Sequence, residues 1–115
     1  MKDGIMGSTV DALSVAYEEG GQVRVKELHK EVLHEGHGWA TVVFLSEEWD
    51  EKAAEFGPPK VHLRRYRKRA GRYQLYSKFN LSNMSHARHL AQTLQRWADD
   101  RGMGPSPEGE ATETE

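Results

Sequence analysis

Apolar and polar residues alternate through the middle of the chain, and this pattern predicts an antiparallel sheet. Residues 39–45 (WATVVFL) are aromatic and β-branched, as in a strand. Residues 22–34 fit either a helix or a strand that changes phase at a bulge near Glu27. Turn residues 35–38 (EGHG) separate the two segments, which favours a hairpin and therefore a strand.

A second hairpin is predicted for residues 60–81, with its turn at 68–71 (KRAG). Because strand side chains alternate between faces, its two sides are expected to differ in character. One side is largely apolar: Val61, Leu63, Tyr73, Leu75, Ser77, Phe79 and Leu81. The other side is basic and carries tyrosines: His62, Arg64, Tyr66, Arg72, Gln74, Tyr76 and Lys78.

The last predicted element is a helix over about residues 83–100, which Ser82 or Asn83 caps. Its apolar stripe has helical spacing and is expected to serve as core or as a dimer interface: Met84, Ala87, Leu90, Ala91, Leu94 and Trp97. Two shorter helical segments are also predicted. One covers residues 9–19 and ends at Gly20, although this segment could equally be a flexible lead-in; the other is a turn within residues 46–57.

These elements predict an α+β fold: a four-stranded antiparallel β-meander followed by one C-terminal α-helix, in a dimeric protein. The 115 residues suffice for one domain at most, and we place it at residues 22–101. Residues 1–21 are predicted to be a flexible or short-helical N-terminal segment. Residues 102–115 (GMGPSPEGEATETE) are expected to form a disordered acidic tail.

Charge is sorted along the sequence. Residues 60–98 contain ten Lys and Arg and no acid, so the segments 1–59, 60–98 and 99–115 carry net charges of −7, +10 and −5. Such a block indicates a polyanionic partner, and most simply a nucleic acid. The predicted nucleic-acid-binding residues all lie on the hairpin or in its turn: Lys60, His62, Arg64, Tyr66, Arg67, Lys68, Arg69, Arg72, Gln74, Tyr76 and Lys78.

Cationic side chains interleaved with aromatic ones suit single-stranded nucleic acid. Guanidinium and ammonium groups contact phosphates, and tyrosine rings stack on unpaired bases. A duplex-reading protein would more typically present a recognition helix, whereas the predicted helix has only Arg88 and Arg96 outside its apolar stripe. The alternative interpretation is a solvated basic face whose tyrosines only cover the strands.

Other kinds of chemistry find little support in the sequence. There is no cysteine, which excludes disulfides and cysteine-based zinc sites. His34 with His37, and His86 with His89, have spacings that could chelate a metal, but exposed histidines explain them better. We therefore expect no cofactor, no metal site, no catalytic residues and no enzymatic activity. No membrane segment is predicted, so we expect a cytoplasmic protein. Association with the nucleoid is one option within this expectation.

Several motifs resemble the positive-cofactor-four family of transcriptional coactivators and their bacterial homologues. They are the aromatic segment from Gly38 to Trp49, the run 59–66 (PKVHLRRY), and the run 77–82 (SKFNLS) that leads into the helix. The resemblance covers about residues 22–100. It implies a β-β-β-β-α protomer that dimerises through its helix and binds single-stranded DNA on curved sheets. By position it places Lys60, Arg64, Tyr66 and Lys78 on the DNA-binding surface.

Two departures from the family pattern stand out. Phe79 replaces the glycine that follows the lysine of the fourth strand, and the acidic insert 46–57 is longer than the usual turn. The leading functional prediction is a homodimeric protein that binds single-stranded nucleic acid, DNA or RNA, in transcription, replication or repair. The alternative is a non-enzymatic protein-interaction or structural module whose basic segment docks an acidic partner.

Overall fold

In the computed structural model, residues 8–101 are described, and they contain six antiparallel strands and one α-helix. The strands are β1 (Tyr17–Glu19), β2 (Gln22–Gly36), β3 (Trp39–Asp50), β4 (Glu55–Phe56), β5 (Lys60–Arg69) and β6 (Arg72–Leu81). The helix is α1 (Met84–Asp100), and a single 3-10 turn spans Val10–Ala12. The acidic tail predicted at 102–115 lies outside the described residues.

The four long strands β2, β3, β5 and β6 are neighbours in that order, so the predicted meander is confirmed in its antiparallel character and in its C-terminal helix. The predicted bulge is also present, since the β2–β3 register shifts between Glu27 and His29. A second shift lies between Val32 and His34. These shifts explain why residues 22–34 show no simple alternation in the sequence.

The strand count of four is wrong, because two short strands extend the sheet. Gly20 and Gly21 have φ values of 60° and 79°, so they form a tight turn that pairs β1 with β2 instead of ending a helix. Strand β3 continues to Asp50, and β4 folds back onto it in place of the expected helical turn. The Asp50 carboxylate accepts hydrogen bonds from the backbone N–H groups of Lys52 and Ala53, which stabilises this reversal.

Alternate residues of β3 define the two sides of the sheet. The first side, the Phe44 face, carries the buried residues Ala40, Val42, Phe44 and Ser46. The second, the Trp39 face, carries the half-buried residues Trp39, Thr41, Val43 and Leu45. The hydrophobic core therefore lies on the Phe44 face, where Tyr66 and Tyr73 join it from β5 and β6.

The N-terminal segment completes this core. Past the single 3-10 turn it is extended, which corrects the helix predicted for residues 9–19. Val10, Leu13 and Val15 are buried in one cluster with the Phe44 face. The Lys30 ammonium donates hydrogen bonds to the carbonyls of Val10, at 2.6 Å, and Leu13, at 2.8 Å. Residues 10–15 are thus an integral part of the sheet unit.

The chain divides into two compact units, with the boundary between Met84 and Ser85. The helical unit buries none of its described side chains. Its predicted stripe is present as an amphipathic face, with Leu94 and Trp97 exposed at 52% and 58%. The extent predicted for this helix, residues 83–100, agrees with the observed Met84–Asp100.

Candidate nucleic-acid interface

The strongest cluster of aromatic and cationic side chains lies on the Trp39 face, at the end of β3 next to the turns at 37–38 and 70–71. Trp39 is directly opposite Arg67 of β5. The rings of Trp39 and Tyr76 meet edge to face, with centroids 4.8 Å apart and planes at 90°. This arrangement is the favoured geometry for an aromatic pair, because the ring edge is positive and the ring face negative.

Two arginines from β5 cover the indole ring. The guanidinium carbon of Arg65 lies 4.1 Å from the Trp39 ring centroid and 5.8 Å from that of Tyr76. The guanidinium of Arg67 is 4.9 Å from the same indole. A cation over an aromatic face is stabilised by about 0.5–1 kcal/mol at an exposed site. The contacts therefore hold two positive charges and two rings together on one surface.

Tyr76 lies on this surface at a bulge in β6. The β5–β6 register shifts so that Arg65 pairs with Ser77 whereas Tyr66 pairs with Leu75, which leaves Tyr76 as the extra residue. Its side chain is 59% exposed and contacts Trp39. Gln74 lies between the turn and this bulge, opposite Arg67 and therefore on the Trp39 face, and the bulge changes the phase of residues 77–81.

The turn of the β5–β6 hairpin extends the positive surface. Ala70 and Gly71 have φ values of 52° and 78°, the left-handed conformation of a two-residue hairpin turn. The predicted basic residues around this turn are all exposed: Arg67, Lys68, Arg69 and Arg72. The backbone N–H of Lys68 donates to the carbonyl of Gly38 at 2.8 Å, so the two hairpin turns lie side by side.

Three predicted binding residues are instead buried on the Phe44 face. His62, Arg64 and Tyr66 are only 4%, 5% and 0% exposed. They are opposite Phe44, Val42 and Ala40 of β3, respectively. Their placement corrects the prediction that they share an exposed face with Gln74 and Tyr76, because the register set by the two-residue turn pairs Tyr66 with Leu75 and Arg67 with Gln74.

His62 is held in a polar chain across three strands. Its Nε2 lies 2.6 Å from the Ser46 hydroxyl oxygen, and its Nδ1 lies 3.1 Å from the Asn80 amide oxygen. Because the amide oxygen only accepts, the neutral ring carries its proton on Nδ1, and Nε2 accepts from the Ser46 hydroxyl. Burial lowers the pKa of His62 below its usual value of 6.5, and the nearby Arg64 charge lowers it further, although the Asn80 contact opposes this.

The two remaining predicted residues are separated from the cluster. Lys60 pairs with Ser46 at the opposite end of β5 and forms an ion pair with Glu48 at 2.9 Å. From Lys60 to Arg69 a strand spans about 30 Å at 3.3 Å per residue. Lys78 is an exposed residue directly opposite Arg64. Lys68 also lies on the Phe44 face, because it pairs with Tyr73 and its ammonium is 5.0 Å from that ring centroid. The structure therefore brings together Arg67, Arg69, Arg72, Gln74 and Tyr76 on the Trp39 face, but not Lys60, Lys68 or Lys78.

Trp39 and Arg65 were missing from the predicted site. Trp39 belongs to a strand whose two sides are both apolar, so the sequence favoured a core role for it. Arg65 lies between Arg64 and Tyr66 and projects to the side opposite theirs, as alternation requires. The sequence did contain one signal for these two residues. Alternation places Arg65 on the same side of β5 as Val61 and Leu63, where it would lie near any aromatic residue of β3 on that side.

Two other kinds of feature, a metal site and a membrane span, also bear on function. Among residues 8–101, no group of three or more His, Asp or Glu side chains is placed to hold a metal ion. The single helix in this range falls short of the length and apolarity that a bilayer span requires.

Comparisons with known proteins add no relative. A scan against protein-family models, a search of curated proteins and a search of solved structures each found no match. The residues and geometry described above are therefore the basis for the proposed function.

Proposed function

We propose that this protein binds single-stranded nucleic acid, DNA in the first instance, at the aromatic–cationic end of the Trp39 face. The observation that carries the proposal is the Arg65 guanidinium lying over Trp39 and beside Tyr76. Such a surface offers rings for stacking on unpaired bases and cations for phosphates. We name Trp39, Arg65, Arg67, Gln74 and Tyr76 as its centre, with Arg69 and Arg72 as its extension.

Single strands are favoured over duplexes for a geometric reason. The rings lie on a sheet surface, where a splayed base can reach them, whereas the bases of a duplex are already stacked on each other. The resemblance to the positive-cofactor-four family implies the same function. Arg64 and Tyr66, which the resemblance places on the DNA-binding surface, cannot contribute because they are buried in the core. We propose binding without turnover, in the cytoplasm or on the nucleoid.

A direct comparison tests this proposal. Fluorescence polarisation with a labelled oligo-dT strand, the matching RNA strand and the corresponding duplex measures the three affinities under one set of conditions. We expect the single strands to bind at least tenfold more tightly than the duplex. Equal affinity for all three would indicate nonspecific attraction to polyanions, and no binding would reject the function.

Dimerisation is part of the proposal. Large apolar side chains are exposed on both units, among them Phe79 at 58% and Trp97 at 58%. Exposed apolar surface of this kind marks contacts with other proteins. A second copy of the chain is the partner we propose, and sedimentation velocity over a range of protein concentrations measures the association.

The same exposed side chains favour the second candidate function, a protein-interaction module. In that case the basic turn at 67–72 docks an acidic protein partner instead of nucleic acid. Size-exclusion chromatography with and without oligonucleotide separates the two, because only nucleic-acid binding shifts the elution of the complex.

A further inference from the structure

Strand β6 forms one edge of the sheet. Within the described part of the chain its only strand partner is β5, and it spans ten residues, Arg72–Leu81. An edge strand presents backbone N–H and C=O groups that can pair with another strand. Proteins usually shorten, charge, cover or bulge such an edge. Strand β6 has one bulge, at Tyr76, but it is long and most of its residues are exposed.

The side chains of β6 do little to protect this edge. It carries two charged residues in ten, Arg72 and Lys78, and no proline. The remaining positions are rich in aromatic and other strand-forming residues, including Tyr76 and Phe79. This composition favours pairing with another strand over solvation.

We propose that two copies of this chain pair antiparallel along β6, so that their sheets join into one continuous sheet. Copies related by a twofold axis use the same strand twice, and the strand must therefore be complementary to itself. The axis lies between Tyr76 and Ser77, which then face each other across the dimer.

The bulge makes this register possible. Gln74 shares the Trp39 face with Phe79, because their β5 partners Arg67 and Leu63 pair with Trp39 and Val43. Without the phase change at Tyr76, two residues five positions apart would point to opposite faces. With it, Gln74 of one copy lies opposite Phe79 of the other, on the same face.

The other pairs in this register are also compatible. Leu75 lies opposite Lys78, and both belong to the Phe44 face, since their β5 partners Tyr66 and Arg64 do. Arg72 lies opposite Leu81. Because no two like charges face each other, cross-strand repulsion does not oppose this pairing.

The joined sheet would present both Trp39 faces on one side of the dimer. The joined sheet would contain β3, β5 and β6 of one copy followed by β6, β5 and β3 of the other. The two β3 strands would therefore lie five strand spacings of 4.8 Å apart, about 24 Å in all. The inference goes beyond nucleic-acid binding and does not require it; it does require the homodimer proposed above.

Cysteine cross-linking tests the register, and the absence of native cysteines makes the experiment clean. Phe79→Cys and Gln74→Cys are prepared separately, mixed and oxidised mildly. We expect a disulfide-linked dimer from the mixture and little from either variant alone, because two copies of one position lie about 17 Å apart along the strands. Glu31→Cys, an exposed position on β2, replaces Gln74→Cys in the control mixture and is expected to give no cross-link.

Leu94→Cys tests the competing contact through the helix stripe. Cross-linking of Leu94→Cys without any 74–79 cross-link would overturn the β6 pairing and leave the homodimer standing. Sedimentation of the unmodified protein as a monomer at all concentrations would overturn both. As an independent check, Ser77→Lys places two ammonium groups beside the twofold axis and is expected to weaken dimerisation at least tenfold with an unchanged circular dichroism spectrum. A folded Ser77→Lys dimer of undiminished affinity would also reject the pairing.

Discussion

The guanidinium of Arg65 lies 4.1 Å from the ring centroid of Trp39, whereas the adjacent Arg64 is buried on the opposite side of the same strand. Two neighbouring arginines in the sequence thus have different environments. Arg65 belongs to an exposed aromatic cluster, and Arg64 belongs to the core. Substitutions at the two positions should therefore separate binding from folding.

Replacing Trp39 or Arg65 should weaken binding to single strands. Trp39→Ala removes a stacking surface that is worth about 1–3 kcal/mol per base, which corresponds to a loss of about tenfold or more in affinity. Arg65→Ala removes one phosphate contact and one cation from the indole. Polarisation titrations with oligo-dT measure both effects. Arg88→Ala on the helix is the charge-matched control, and an equal loss there would show that only net charge matters.

Replacing Arg64 should lower the stability of the fold. The Arg64 side chain is buried opposite Val42 on the Phe44 face, so Arg64→Ala removes packing and leaves a cavity. We expect a decrease of about 1–3 kcal/mol in the free energy of unfolding. Urea denaturation of Arg64→Ala and Arg65→Ala compares the two arginines directly. A greater loss of stability for Arg65→Ala would contradict the assigned faces.

Stability should decrease as the pH falls below about 6.5. The folded state holds His62 with a lowered pKa, so the unfolded chain binds its proton more readily. The stabilising effect is fully present above the unfolded pKa near 6.5 and is lost as the pH falls from there through the folded pKa. Thermal melts between pH 8 and pH 5 measure it. His62→Gln, which keeps a polar side chain, should flatten this part of the profile, and an unchanged slope would contradict the role of His62.

Lys30 should stabilise the N-terminal segment. Its ammonium donates to the carbonyls of Val10, Asp11 and Leu13, at 2.6, 3.2 and 2.8 Å. Lys30→Met should cost about 1.5–3 kcal/mol, the range for hydrogen bonds to a charged group. Lys26→Met is the matched control, because the partly exposed Lys26–Glu47 pair at 3.4 Å and the Lys26 ammonium 4.3 Å from the Phe56 ring centroid each contribute about 1 kcal/mol or less. Urea denaturation that gave equal effects would show that residues 10–13 are not held by Lys30.

The sequence was sufficient to predict the elements formed by local patterns. The two long hairpins follow from alternation and turn residues, and the helix follows from its stripe and cap. Local patterns did not predict which side chains of β5 and β6 are buried, because this depends on tertiary structure. Ala40, Val42 and Phe44 alternate with Trp39, Val43 and Leu45, so both sides of β3 are apolar and the pattern does not identify the buried one.

Two features outside the local pattern decide which side is buried. The first is the packing of Val10, Leu13 and Val15 on the Phe44 face, which the sequence presented only as a weak helical pattern. The second is the register of the β5–β6 hairpin turn, which places Tyr73 and Leu75 on the Phe44 face and Gln74 on the Trp39 face. As a result Tyr76 and Gln74 remain in the candidate site, His62, Arg64 and Tyr66 leave it, and Trp39 and Arg65 enter it.

The salt dependence of single-strand binding tests the central claim most directly. The candidate surface carries four cations, at Arg65, Arg67, Arg69 and Arg72. If each neutralises one phosphate, log K against log salt concentration should have a slope of about −2.8 for the unmodified protein. The slope should be shallower by about 0.7 for Arg65→Ala and unchanged for Arg88→Ala. A slope near zero, or identical slopes for all three proteins, would contradict nucleic-acid binding at the Trp39 face.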